Sequence, residues 1–197
     1  MFRYYIITIV AATAAIFGIN AALIAPLYGF SYPYLLALVL LAVVEAFAID
    51  AIVAIAVRYL VPKRFYDPLA KRFRCHKKEK KIYTKLGIRK WKDKIPETGG
   101  LLVGFQKKKV LDLHDNEYLY KFMQETCYAE VMHVWSIPLG FLTLALCPTP
   151  LHLTIALPVA IVNAILQILP VAVQRFIRPQ LLRVYNKNLL FFLKNEK

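Results

Sequence analysis

The constraint that dominates this sequence is the segregation of its apolar residues from its basic ones. Four apolar runs, about Tyr4 to Leu27, Tyr32 to Leu60, Thr126 to Leu146 and Leu151 to Val173, come near or exceed the roughly 20 residues a helix needs to cross hydrocarbon. Between the second and third lies a stretch, Lys63 to Lys121, with 18 Lys and Arg against 7 Asp and Glu. The chain is 59% hydrophobic, with mean hydropathy +0.50, and still carries a formal net charge of +14, so the two residue classes must be kept apart. In lipid every backbone polar group must be satisfied within its own segment, which favours helices. The predicted fold class is therefore all-α: a polytopic membrane protein of about four transmembrane helices with a basic amphipathic cytoplasmic segment. Its parts are two N-terminal transmembrane helices (1–62), a basic cytoplasmic or interfacial segment (63–123), two transmembrane helices or one re-entrant plus one transmembrane helix (124–174), and a basic cytoplasmic tail (175–197). The N-terminal run is longer than a signal-peptide core and is followed closely by a second span, so it reads as a retained helix.

Orientation follows from charge. The connections Gly29 to Ser31 and Pro148 to Pro150 hold no Lys or Arg, whereas the long middle segment and the tail, with Arg175, Arg178, Arg183, Lys187, Lys194 and Lys197, are basic. The bias of basic residues toward the cytoplasm then predicts a multi-pass cell-membrane protein with both termini cytoplasmic and no folded domain outside. Basic charge on such a chain suits anionic lipid headgroups, and no nucleic-acid recognition motif accompanies it. Three cysteines, Cys75, Cys127 and Cys147, lack metal-ligand spacing and imply neither a disulfide framework nor a zinc site. Mixing of Leu69, Phe73, Ile82, Tyr83 and Leu86 with lysines and arginines predicts docking of the middle segment on the membrane surface. Its last part ends at Pro96, followed by Gly99 and Gly100.

The chemistry-bearing residues concentrate at the third run. Thr126, Glu130, His133 and Ile137 follow 4, 3, 4 spacing, which on a helix stacks them on one face with Glu130 and His133 a turn apart. Ionisable side chains are costly in lipid and tend to mark function. The fourth run offers Asn163, Gln167, Gln174 and Arg178, again on one face, with Arg175 adjacent. In the resulting scheme His133 is a general base, Glu130 or Glu125 orients it, and Arg175 and Arg178 hold an anionic group or pair with the glutamates. Glu130-x-x-His133 is also half of a di-metal helical ligand set, but the second copy is missing, so no metal and no cofactor is expected. Glu45 and Asp50 interrupt the second run and are expected to make stabilising contacts, for instance with Arg58 or as an extension of the site. His114, between Asp112 and Asp115, forms a small cluster expected to be solvated. No Gly-x-Ser-x-Gly elbow, Walker loop, dinucleotide fingerprint or His-x4-Asp motif is present.

Three blocks, LGIRKWKDKIPE (Leu86 to Glu97), ETCYAEVMHVWSIP (Glu125 to Pro138) and LPVAVQRFIRPQLLR (Leu169 to Arg183), together resemble the glycosyl-4,4'-diaponeurosporenoate acyltransferase family. The resemblance spans roughly Val61 to Arg183; two hydrophobic spans precede it, where the family's lead-in is shorter. It implies transfer of a fatty acyl chain to a sugar hydroxyl of a glycosylated terpenoid within the bilayer, with a lipidic acyl donor and glycolipid acceptor as partners. The residues it marks are Arg89, Lys90, Trp91, Lys92, Glu125, Glu130, His133, Gln174, Arg175 and Arg178. On this reading His133, Glu130 and Glu125 form the catalytic set, Arg175, Arg178 and Gln174 bind substrate, and Trp91, Lys92, Arg89 and Lys90 close the site from the interface. Another glycolipid, a polyprenyl-linked sugar or a lipid alcohol remains open as acceptor. The contrasting readings are a non-catalytic lipid-binding or assembly subunit, in which the charges build a helix interface, and a small transporter component. A homo-oligomer is compatible with all three.

Overall fold

The structure is a computed structural model and describes residues 2–95 and 112–195, so Pro96, Glu97, Gly99 and Gly100 lie outside the described residues. Among the described residues there are helices and turns but no strand. The chain begins with α1 (Phe2–Ile19), which passes through a π-helical turn (Asn20–Ile24) into α2 (Ala25–Tyr28). Gly29, at φ 71°, ends α2 in the left-handed conformation that a residue without a Cβ adopts at little cost. Then come α3 (Tyr32–Tyr59), two 3₁₀ turns (Lys63–Tyr66 and Lys71–Phe73), α4 (Lys77–Lys85), α5 (Ile88–Trp91) and a 3₁₀ turn (Lys92–Lys94). The C-terminal half holds α6 (Asn116–Leu139), a 3₁₀ turn (Gly140–Leu142), α7 (Thr143–Leu146), a second π-helical turn (His152–Ala156) and α8 (Leu157–Asn195).

Among the described residues, four helical stretches are long and apolar enough to cross a membrane: Arg3–Tyr28, Tyr32–Tyr59, Asn116–Leu146 and His152–Lys194. Their number is the one the apolar runs predict, but two are longer than expected. The third starts at Asn116 rather than near Thr126, and the fourth continues through Pro170 and Pro179 to Lys194 rather than ending near Val173. Both extensions are too polar to register as hydrophobic runs, yet each has a reason to be helical. Asp115 Oδ1 accepts the backbone N–H groups of Glu117 and Tyr118 at 2.8 and 3.1 Å, a helix cap that starts α6. Asp112 accepts from His114 and Asp115 in the same turn, so the small acidic cluster around His114 works as a start signal for α6.

The chain packs as two compact units, one comprising Met1–Ala56 and Met132–Ile168, the other Val57–Val131 and Leu169–Lys197. In the second, Leu119, Phe122 and Met123 of α6 pack with Leu181 of α8, and Asn188 donates to Leu113 O at 2.7 Å. That contact gives the polar end of α8 something to fold against.

In the first unit, Ile16, Leu35, Val39, Ala42, Leu151 and Ile155 form an apolar core. The two π-helical turns bring the fully buried Asn20 against this core, where its Nδ2 donates to Ile16 O at 2.8 Å and Thr154 O at 2.9 Å. A carbonyl buried in an apolar bundle has no water to turn to, so the one amide that serves two of them matters. Asn20→Ala should lower stability by about 1–3 kcal/mol. Melting of the protein in detergent checks this, with Thr8→Ala, which removes an exposed hydroxyl bonded within its own helix, expected to melt like the native chain.

Candidate active site

Glu130 lies on α6 in the second unit, 6% exposed. Its Oε1 accepts from Arg175 Nη1 at 2.5 Å and its Oε2 from Arg178 Nη1 at 2.6 Å. Both arginines come from α8, three residues apart, so successive turns of one helix present two guanidiniums to one carboxylate. Arg178 is 2% exposed, and its remaining donors go to Thr126 Oγ1 (2.9 Å), Thr126 O (3.0 Å) and Phe73 O (3.1 Å), while its guanidinium stacks over the Phe73 ring. Arg175 turns its other edge to Glu79 of α4, at 2.9 and 3.1 Å, and to Arg74 O at 3.3 Å. Two acids and two bases thus form a charge-neutral set. Its hydrogen bond to Arg175 holds the Glu79 carboxyl below the usual carboxylate range.

Glu125, five residues earlier on α6, accepts from Arg58 Nη1 with both oxygens, at 3.1 and 2.9 Å. Arg58 also stacks over Tyr128, which packs against Tyr66. Burial pushes the Tyr66 phenol up to about 12, so it stays protonated and donates to Val57 O at 2.5 Å. Arg58 therefore finds Glu125 as its partner, not Glu45 or Asp50. Burial raises the thiol of Cys75, which stays neutral near pH 7 and is a poor nucleophile.

His133 belongs to the first unit, and there it joins a different set. Its Nδ1 meets Gln167 Oε1, and Gln167 Nε2 donates to Asp50 Oδ2 at 2.5 Å and to Asn163 Oδ1 at 3.3 Å. Asn163 Nδ2 donates to Asp50 Oδ1 at 3.4 Å. A carboxylate only accepts, so it takes the NH₂ end of the Gln167 amide and leaves the carbonyl for the imidazole. The carbonyl in turn requires the proton on Nδ1, which places the ring's lone pair on Nε2. That is the tautomer a general base needs. Gly140 permits this packing, since a Cβ there would stand 2.9 Å from Asn163 Nδ2.

The sequence expectation gives Glu130 or Glu125 as the acid that orients His133; in the structure Glu130 bonds Arg175 and Arg178, Glu125 bonds Arg58, and a hydrogen-bonded series joins His133 through Gln167 to Asp50. Gln174 is buried on α8 beside Arg175. Trp91 Nε1 donates to Leu86 O at 3.0 Å, Lys92 pairs with Asp93 at 2.7 Å, and Arg89 and Lys90 are exposed, so among the described residues this block makes its polar contacts locally. Sequence reading missed Glu79 and left Asp50 between a stabilising contact and an extension of the site. Glu79 did carry a signal, being the single acid between Lys78 and Lys80 in a basic helix.

Residues 62–187, the larger part of the chain, match the family described as glycosyl-4,4'-diaponeurosporenoate acyltransferase. The chain belongs to that acyltransferase family. No individual curated protein and no solved structure matches it. The matched residues include His133, Gln167, Glu130, Arg175 and Arg178.

Glu130→Gln leaves two guanidiniums short of a buried anion and should cost about 3–5 kcal/mol of stability. Glu125→Gln, whose partner Arg58 is 32% exposed, should cost no more than about 1 kcal/mol. Thermal melting of both variants checks the order. Because the Glu79 carboxyl is held low in the folded chain, its contribution is present above the ordinary carboxylate range and lost as pH falls through the lowered value. Glu79→Gln should accordingly flatten the acid side of a stability-against-pH curve.

Proposed function

We propose that this protein transfers a fatty acyl group to a hydroxyl of a glycolipid or glycosylated terpenoid at the inner leaflet, with both termini in the cytoplasm. The observation that carries the reading is the hydrogen-bonded series Asp50, Gln167, His133, set in membrane-spanning helices of a chain from an acyltransferase family. His133 is the catalytic base. Its Nε2 takes the proton of the acceptor hydroxyl as that oxygen attacks the carbonyl carbon of an acyl ester or thioester. The carbonyl electron pair moves to oxygen, then returns and expels the leaving group, which takes the proton back from the imidazolium. Ester and free leaving group are the products, and the base is regenerated.

Asp50 and Gln167 are positioning residues. The amide passes the effect of the carboxylate to the imidazole, holding the tautomer and balancing the positive charge that the ring acquires in the transition state. Glu130, Arg175, Arg178 and Glu79 form a closed ion-pair set that holds the second unit together. Arg89, Lys90, Trp91 and Lys92 form a basic, aromatic hook suited to anionic headgroups at the interface.

Lipid mass spectrometry on membranes containing the native chain should show a glycolipid heavier by one ester-linked acyl group. His133→Ala should reduce its formation on the order of 10²- to 10⁴-fold while leaving the protein folded and inserted. Asp50→Asn should lower kcat with little change in KM, and should have no further effect once His133 is alanine. Independent losses in the double variant would assign Asp50 a structural role only. Absence of any ester with the native chain, folded and supplied with glycolipids, would favour a lipid-binding subunit.

A further inference from the structure

Ser136 lies between His133 on α6 and Gly140 just beyond its end, and the three residues fall within about 60° of one another around the helix. His133 meets Gln167, and Gly140 stands against the Asn163 amide, so this face of α6 is turned to the polar residues of α8. Ser136 faces the same place and is fully buried. Its neighbour there is the Asp50 carboxylate of α3. Yet its hydroxyl makes no hydrogen bond, to Asp50 or to any other group among the described residues. Other hydroxyls in the spanning helices behave differently: those of Thr8, Thr13, Thr126 and Thr143 each donate to a carbonyl three or four residues earlier. A serine in a helix has the same carbonyls in reach, and Ser136 leaves them. A buried hydroxyl without a partner costs stability, so this one calls for a use outside the resting fold.

We propose that Ser136 is a positioning residue for the His133 chemistry: its hydroxyl donates to Asp50 as His133 takes the proton, and keeps the carboxylate charged and aligned on Gln167. The assignment rests on the acyl-transfer reading above. In the resting protein Asp50 has one short bond, from Gln167 at 2.5 Å, and one long bond, from Asn163 at 3.4 Å. A carboxylate accepts at about four lone-pair sites, so two amides leave it short of donors in an apolar bundle. When His133 becomes cationic, the Gln167 carbonyl is drawn to the ring, and the amide's NH₂ end leans harder on Asp50. The carboxylate has to remain an anion at that moment. A third donor serves this, and a hydroxyl supplies it by turning about one bond, without adding a charge that would hold Asp50 permanently. Being fully buried, Ser136 acts through Asp50 and not on the substrate.

Steady-state kinetics of ester formation read this role. Ser136→Ala should lower kcat by about 3- to 10-fold, the worth of one hydrogen bond made in the transition state, with KM unchanged. The variant should melt no lower than the native chain, because the hydroxyl it removes makes no bond in the resting protein. In an Asp50→Asn background, where no carboxylate remains to be served, Ser136→Ala should have no further effect. A lower melting temperature, an unchanged kcat, or losses that multiply in the double variant would each overturn the assignment while leaving the reaction standing. If the native chain makes no ester, the acyl-transfer reading fails on its own, and carboxyl-carbon NMR of aspartate-labelled protein in detergent decides whether the hydroxyl serves Asp50. The resonance that Asp50→Asn removes should move in Ser136→Ala and stay in place in Thr13→Ala, whose hydroxyl is bonded within its own helix. A resonance that Ser136→Ala leaves in place overturns the role of Ser136.

Discussion

The interaction on which most of the second unit depends is one carboxylate held by two guanidiniums. A lone glutamate in an apolar helix is costly enough to neutralise or to distort the helix that carries it. Glu130 is spared that by Arg175 and Arg178, but a second arginine brings a second problem, an excess positive charge. Glu79 resolves it from outside the spans. The consequence reaches beyond electrostatics. Phe73 O and Arg74 O accept from the same two arginines, so the basic segment after Tyr59 is tied by its backbone to residues of α8. A stretch that looks like a charged linker is folded because the charges of a spanning helix need its carbonyl groups.

The first unit treats its acid differently. Asp50 is met by the amides of Asn163 and Gln167, which supply partial positive charge without a counter-ion. An arginine beside it would neutralise the carboxylate permanently. Amides leave its negative charge to act on whatever lies at the far side of Gln167, which is an imidazole able to become cationic. On the proposed reading this difference separates the working acid from the structural one: Glu130 is saturated in the resting protein, whereas the charge of Asp50 is balanced most fully only when His133 is protonated.

The architecture was legible because lipid removes choices. A membrane-length apolar run has to satisfy its own backbone, and helix is the form that does so, hence four spans in the expected order. Span ends were less legible because Asn116 to Gln124 and Arg178 to Lys194 owe their helicity to a cap at Asp115 and to packing of Leu119 and Phe122 against Leu181, none of which raises local hydropathy. Helical spacing grouped residues that share a partner or a bond within each unit: Thr126 and Glu130 on α6, which both meet Arg178, and Asn163 with Gln167 on α8. It could not choose partners. Neighbours three apart on one helix, such as Glu130 and His133, look like a pair in sequence, but Arg178, 48 residues away, offers a stronger bond. Asp50 and Gln167 are 117 residues apart, and no local pattern announces their contact.

The family match begins at residue 62, and that boundary divides the proposed machinery in an informative way. His133, Asn163 and Gln167 fall inside it, as do Glu130 and both arginines that hold it. Asp50 falls outside. On the proposed reading the base and the amide that fixes its tautomer thus come from the matched region, while the acid behind them comes from the second N-terminal span.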